Sequence, residues 1–267
     1  MIEAGRFDLS PWEKLLEEPN RGSHYVQLYT ADEAALISNV GRYLWDGLRL
    51  GEGVLVIATP EHQDAFSRRL RESGADLDHL ARTRQLVFLD AQKTLDIFME
   101  RGQPDWIEFE KVVRLAMRLL EVKPGRGCRA YGEMVGILWK AQQFAAAIRL
   151  EQLWNKLLEQ ASFSLYCAYE IDVFSRGQDL SNLDDVLCTH THLVPAQTNG
   201  ALEAALNRAM DDVLGSHADE LRMRIKSNPR HGGAVIPTAE NIVLWLRRNL
   251  PDRAGEILEL AQQHYSQ

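Results

Sequence analysis

The sequence predicts a three-layer α/β fold with a mostly parallel sheet, followed by a small all-helical C-terminal module. Over residues 25–195, short apolar runs typical of strands alternate with longer segments of helical spacing, which indicates parallel strands joined by right-handed crossovers. Residues 54–58 are continuously apolar, as in strands buried on both faces. After about residue 200 the spacing is helical and no strand pattern stands out.

Local patterns predict the elements of the α/β part in order. Thr59 and Pro60 mark a helix start, because threonine caps a first turn and proline suits the first helical position. Asp90 ends a strand and is either a helix N-cap, the favoured interpretation, or a Walker B aspartate that binds magnesium. The predicted strands are residues 25–29, 54–58, 85–90, 128–131 and 163–169, and the helices are residues 31–48, 60–73, 93–101, 105–122 and 135–160.

The pattern of the C-terminal part predicts only helices, and residues 228–233 are predicted to form a loop between two of them. We therefore expect an N-terminal extension over residues 1–20, an α/β domain over residues 21–197 and a helical module over residues 198–267. The predicted helices of the module are residues 201–214, 220–227, 237–250 and 252–265.

Composition excludes several classes of protein. The chain has 267 residues, 45% of them apolar, and no apolar run approaches the roughly 18 residues that span a bilayer. The start of the chain lacks the basic and apolar regions of a signal peptide. The three cysteines form no CxxC pair, so we expect a cytoplasmic location. The net charge of −8 disfavours nucleic acid as a partner.

In an open parallel sheet, ligands bind where the strands end, so the predicted strand exits are the first place to look for a site. The exit after residues 54–58 has the position of a P-loop but lacks its glycine, its lysine and its Ser or Thr. The exit after residues 128–131 places Gly132 and Glu133 at a strand-to-helix turn. Glu133 is either a ligand-binding or catalytic carboxylate or a favourable first-turn residue.

Cys188, His190 and His192 form the only metal-like pattern. The three side chains would share a face if this segment were a strand and would diverge if it were a helix. Structural zinc sites have four ligands, and this pattern offers three at most. The favoured interpretation is therefore the end of a helix before a linker, with no metal.

Seven motifs together resemble one known family, the MEDS domain, the methanogen/methylotroph sensory domain first described around a dichloromethane-responsive repressor. The motifs are specific in combination and cover about residues 20–195. They are HYVQLY (24–29), GLRLGEGVLVIAT (47–59), LVFLDA (86–91), FMERGQPD (98–105), RAYGEMVGILW (129–139), AIRLEQLWN (147–155) and FSLYCAY (163–169).

The resemblance implies a degenerate relative of RecA/KaiC-type ATPases that senses small organic molecules. It implies a signal-transduction protein with a transcription-regulating or kinase partner, or self-association, through residues 198–267. No cofactor is expected, and an enzyme is the less favoured reading. A residual nucleotide-binding protein or ATPase is the alternative. The candidate ligand-binding residues are His24, Thr59, Tyr131, Gly132, Glu133, Met134, Cys167 and Tyr169, with Tyr131 to Met134 favoured.

Overall fold

Strands and helices alternate along most of the chain. A computed structural model describes residues 11–123, 125–174, 182–195, 200–231 and 233–265. The strands are β1 (His24–Tyr29), β2 (Gly53–Ala58), β3 (Leu86–Asp90), β4 (Met99–Glu100), β5 (Gln103–Pro104), β6 (Cys128–Gly132), β7 (Phe163–Glu170), β8 (His192–Val194), β9 (Arg230–His231) and β10 (Ala234–Val235).

The helices fill the connections and the C-terminal part. They are α1 (Pro11–Glu17), α2 (Ala34–Leu50), α3 (Pro60–Glu72), α4 (Leu77–Arg82), α5 (Ala91–Phe98), α6 (Trp106–Leu119), α7 (Met134–Lys140), α8 (Phe144–Gln160), α9 (Leu183–Cys188), α10 (Ala201–Leu214), α11 (Ala218–Lys226), α12 (Thr238–Asn249) and α13 (Pro251–Tyr265).

The main sheet has the order β3-β2-β6-β7-β1-β8-β10-β9. All neighbours in it run parallel except β9, which is antiparallel to β10. Helices cover both faces, so the predicted three-layer α/β fold with a mostly parallel sheet is confirmed. A separate hairpin, β4–β5, lies between α5 and α6.

Two hydrophobic cores lie on opposite faces of the sheet. The first core packs the sheet against α5–α9 and contains Phe109, Leu150 and Trp154. The second core packs it against α1–α4 and contains Tyr43 and Phe66. Alternate strand residues serve the two cores, as the two-residue period of a strand requires. The C-terminal helices α10–α13 add their buried side chains to the first core.

Several local predictions are confirmed at atomic detail. The Thr59 hydroxyl oxygen accepts a hydrogen bond from the His62 amide at 3.5 Å, and Pro60 opens α3. The carboxylate of Asp90 accepts from the Lys93 amide at 2.9 Å. Asp90 is therefore a helix cap, the favoured of its two interpretations.

Other elements differ from the predictions. The single helix expected over residues 135–160 is two helices, α7 and α8, because Gln142 between them has a positive φ of 59°. The strand β8 lies where a helix end and a linker were expected. The short strand β9 lies in the expected loop and β10 directly follows it, and both join the main sheet, so the C-terminal part is not purely helical. The domain limits at residues 20 and 197 stay predictions.

A buried arginine joins α1 to the body of the protein. The guanidinium of Arg129 on β6 is fully buried and donates to the main-chain oxygens of Leu16 at 2.7 Å, Glu17 at 2.7 Å and Tyr43 at 2.9 Å. It also forms an ion pair with Glu52. The arginine therefore satisfies carbonyl groups at the end of α1 that have no partner within that helix.

Candidate functional site

The sheet has a topological switch point between β1 and β7. The helix after β1, α2, lies on the face of the second core, whereas the helix after β7, α9, lies on the face of the first core. Neighbouring strands whose connections leave in opposite directions open a crevice at their carboxyl ends, and ligands of open α/β sheets bind in such crevices.

A cavity of about 440 Å³ lies at this point, and we call it the switch-point cavity. Its floor is the carboxyl ends of β1, β7 and β8, and the N-terminal part of α2 lies beside them. Its opposite wall belongs to α10, α12 and α13. The apolar lining residues include Leu28, Ile171, Val173, Phe174, Leu193, Leu202 and Leu258.

The charged residues that line the switch-point cavity in the described part of the chain are acidic. They are Asp32, Asp172 and Glu240, and no lysine or arginine is among the described lining residues. Asp32 and Asp172 also accept main-chain hydrogen bonds from Ala34 at 3.1 Å and Phe174 at 2.9 Å. The lining suits an uncharged or positively charged molecule and opposes a phosphate group.

Tyr29 lines the cavity, and its ring packs in the second core with its centroid 6.2 Å from that of His62. Burial raises the pKa of Tyr29, and the nearby charges of Glu133, Glu170 and Glu33 raise it further. The phenol therefore stays protonated at neutral pH and is able to donate or accept a hydrogen bond.

Glu133 closes the turn between β2 and α3. Its carboxylate accepts from the Thr59 amide at 3.0 Å and from the Thr59 hydroxyl at 3.3 Å. The Nδ1 atom of His62 lies 2.7 Å from the same carboxylate, and its Nε2 atom lies 3.3 Å from Glu33. The main-chain donor that a ligand would use at this turn is thus taken by a side chain of the protein.

The acidic neighbours of His62 change its titration. Burial lowers the pKa of His62, but the hydrogen bond and charge of Glu133, together with Glu33, outweigh burial and raise it overall. A raised pKa in the folded state means that protonation of His62 stabilises the fold.

We therefore expect the stabilising contribution of His62 to depend on pH. The difference in unfolding free energy between the wild type and His62→Gln is expected to be largest below about pH 6.5, the ordinary pKa of histidine. It should decrease as the pH rises through the raised pKa of folded His62. Urea unfolding across this range measures it, with His79→Gln on the exposed face of α4 as the control. A difference that grows with pH would contradict the assignment.

A second polar group lies inside the first core, and we call it the buried cluster. It comprises His24 on β1, Glu151 on α8, Cys167 on β7 and His190 before β8, all of them buried. One potential ligand atom from each residue lies within 4.8 Å of the others. Burial and the neighbouring His190 lower the pKa of His24. Burial and Glu151 raise the pKa of the Cys167 thiol.

The structure divides the sequence-predicted candidates among three places. Thr59 and Glu133 meet at the β2–α3 turn, whereas His24, Cys167 and Tyr169 meet at the buried cluster, where the Tyr169 hydroxyl donates to Glu151 at 2.6 Å. The remaining candidates pack in the interior. They are Tyr131 in the second core, Met134 in the first core, and Gly132, where an added Cβ would make ordinary contact with Trp154. None of the candidates lines the switch-point cavity.

The pattern Cys188, His190 and His192 does not form one group. Cys188 ends α9 and is exposed, and the ring of His192 lies near Trp12 and Tyr25. His190 alone enters the buried cluster. The three side chains diverge because only His192 lies in β8, so the alternation of a strand does not apply to the segment.

Sequence reasoning did not find the residues of the switch-point cavity. They come from the ends of β1, β7 and β8 and from helices such as α10 and α13, which lie more than 160 positions after β1 in the chain. Glu151 and Asn155 were visible in the motif AIRLEQLWN as polar residues on an apolar helix. They were a signal for the buried cluster, since buried polar side chains need partners.

The family model described as MEDS, the methanogen/methylotroph, DcmR sensory domain, matches residues 23–191. The chain belongs to the MEDS family. The matched segment begins just before β1 and ends just before β8, so it contains the β2–α3 turn and all four residues of the buried cluster. No curated protein matches the chain.

Membership in a family of sensory domains is consistent with a role in signalling. The matched segment contributes the ends of β1 and β7 to the floor of the switch-point cavity, whereas β8 and the helices of the opposite wall follow that segment. Among the helices of the described part of the chain, none has the length and apolar character needed to cross a membrane.

Proposed function

We propose that this protein is a sensor that binds a small organic molecule, uncharged or positively charged, in the switch-point cavity. The observation that carries the proposal is the construction of the cavity from two parts. One wall is the carboxyl edge of the sheet, and the other is α10, α12 and α13. A bound molecule would touch both walls at once.

Contact with both walls provides a route for the output. A ligand changes the balance between two packings of the C-terminal helices only if it binds one packing more tightly. A ligand in the cavity would contact Leu202, Leu258 and Tyr265 only while α10 and α13 pack against the edge of the sheet. A near-complete switch requires about a 10⁴-fold difference in affinity. The helices would pass the signal to a regulatory or kinase protein, or to a second copy of the chain.

The alternative is a residual nucleotide-binding protein of the RecA/KaiC type. The occupied Thr59 amide and the acidic lining of the cavity both weigh against it. A phosphate group needs free main-chain amides or a cation, and the β2–α3 turn offers neither glycines nor a lysine. We infer that the phosphate site has been lost. The relationship to RecA/KaiC-type ATPases stays a prediction.

We expect ligand binding to be abolished by filling the cavity. Ala261 on α13 is buried and lines the cavity, so phenylalanine at this position would occupy the space of a ligand. Thermal unfolding with a panel of chlorinated methanes, short alcohols and short amines should identify a compound that raises the midpoint of the wild type. The same compound should have no effect on Ala261→Phe.

The matched control is Ala81→Phe, since Ala81 is exposed on α4. That variant should respond to the compound as the wild type does, and circular dichroism establishes that both variants are folded. Calorimetry with magnesium and ATP or ADP completes the test, with Glu133→Gln beside the wild type. A compound that stabilises Ala261→Phe as much as the wild type, or micromolar nucleotide binding, would overturn the proposal.

A further inference from the structure

The buried cluster contains more hydrogen-bond acceptors than protons. The Nδ1 atom of His24 lies 2.8 Å from the Asn155 side-chain oxygen and 3.1 Å from the Thr189 carbonyl oxygen. The orientation of Asn155 is fixed, because its amide nitrogen donates to the same carbonyl at 2.7 Å. Both neighbours of Nδ1 are acceptors, so Nδ1 carries the proton of the neutral ring and Nε2 carries the lone pair.

His190 has the same arrangement. Its Nδ1 atom lies 2.7 Å from the Val186 carbonyl oxygen and therefore holds the proton. Its Nε2 atom lies 3.3 Å from Glu151 Oε1 and has no hydrogen-bond partner among the described residues. The two imidazole lone pairs therefore point toward the same carboxylate.

The centre of the cluster thus presents two nitrogen lone pairs, a carboxylate and a sulfur atom. His24 Nε2 lies 3.2 Å from Glu151 Oε2 and 3.3 Å from Cys167 Sγ, and Sγ lies 3.6 Å from Oε2. In the neutral state this centre receives two protons, from the Cys167 thiol, which lies 3.6 Å from Glu151 Oε2, and from the Tyr169 hydroxyl, which donates to Glu151 Oε1 at 2.6 Å. Such a set of buried acceptors needs positive charge between them.

Several distances between these atoms are close to those of a tetrahedral metal site. Zinc binds nitrogen and oxygen at about 2.0–2.2 Å and sulfur at about 2.3 Å. With tetrahedral angles these bonds separate the ligand atoms by roughly 3.3–3.6 Å. The distances among His24, Cys167 and Glu151 Oε2, and that from His190 Nε2 to Glu151 Oε1, fall in that range or within about 0.1 Å of it. One ligand atom from each of the four residues lies within 4.8 Å of the others, so the side chains would move closer together around an ion.

We propose that His24, Glu151, Cys167 and His190 form a closed site for one divalent ion of the zinc class. The two neutral imidazoles, the thiolate and the carboxylate together balance the charge of the ion. The outer contacts are those of a metal site, because each imidazole is held through Nδ1 by an oxygen acceptor. All four side chains are buried, so the ion has no open position for a substrate and serves to hold the structure.

The ion would join four separate elements of the fold. It would link β1 to β7, α8 and the segment before β8. No residue of the proposed metal site lines the switch-point cavity. Binding releases the thiol proton of Cys167 to solvent as the sulfur becomes a thiolate. The site goes beyond the proposed sensory function and does not depend on it.

Metal binding is tested on the full chain after removal of metals by a chelator. Elemental analysis after addition of Zn²⁺ should give one ion per chain. Addition of Co²⁺ should give a near-ultraviolet thiolate-to-cobalt band and the strong visible absorption of a four-coordinate ion. The thermal midpoint should fall on chelation and recover with Zn²⁺.

Two cysteine variants locate the site. Cys167→Ser should lose the thiolate band, and Cys188→Ser, at the exposed cysteine, should keep it. Glu151→Gln should weaken binding more than about tenfold, since even outer contacts of metal sites have effects of that size. A thiolate band that survives Cys167→Ser, or a folded chain that retains no zinc, overturns the proposal.

X-ray absorption at the zinc edge of the loaded wild type needs no variant and covers the case in which Cys167→Ser does not fold. We expect one sulfur and three nitrogen or oxygen atoms around the zinc. A spectrum without sulfur overturns the proposal.

Discussion

Replacement of Arg129 by lysine is expected to lower the free energy of unfolding by about 3–5 kcal/mol, the size found when one partner of a buried charge pair is lost. Lysine keeps the charge but cannot reproduce the planar fork with which the guanidinium binds several acceptors. The carbonyls of Leu16, Glu17 and Tyr43 and the carboxylate of Glu52 would then share a single ammonium group.

Urea unfolding of the wild type and Arg129→Lys measures this loss. Arg126→Lys is the matched control, because Arg126 is exposed and only three positions away. The control should change the stability by no more than about 0.5 kcal/mol, as surface substitutions usually do. A loss below about 1 kcal/mol at position 129 would show that α1 is not held by the arginine.

Replacement of Trp154 by alanine is expected to cost about 3–5 kcal/mol, the usual range for a large buried aromatic residue. The indole ring is fully buried in the first core. Its centroid lies 4.9 Å from that of Phe109, at an interplanar angle of 90°. Alanine would leave a void between α8 and α6 and remove this edge-to-face contact.

The measurement is again the urea midpoint, with Trp45→Ala as the control. Trp45 is half-buried at the margin of the second core, so its removal should cost clearly less. Equal losses at positions 45 and 154 would contradict the view that the first core depends on this ring. Circular dichroism of Trp154→Ala would show whether the variant still folds.

The long elements could be predicted from sequence because each carries its own signal. Residues 54–58 are apolar without interruption, and the start of α3 has both a cap and a proline. The short strands β8, β9 and β10 have two or three residues each, and their pairing depends on neighbours distant in sequence. The break between α7 and α8 depends on a backbone conformation at Gln142 that helical spacing does not reveal.

The candidate site could be predicted only in part. The strand-exit rule pointed to the edge of the sheet at which the switch-point cavity lies, and Glu133 does meet Thr59 at that edge. The rule did not show that Glu133 and Thr59 would bind each other. It also did not show that the cavity would lie at the ends of β1, β7 and β8. The sequence pattern grouped His190 with Cys188 and His192. In the structure His190 instead contacts His24 and Glu151.

The central position of β1 has a consequence for how the protein folds. Tyr25 pairs with Tyr166 on one side and with His192 on the other. Both neighbours of β1 are therefore made long after β1 itself leaves the ribosome. Until then β1 has no hydrogen-bonding partner in the sheet. Completion of the sheet around β1 requires contacts between residues far apart in the sequence. Such non-local pairing slows folding and prolongs the exposure of apolar strand edges. The newly made chain therefore depends most on protection from aggregation before β7 and β8 are complete.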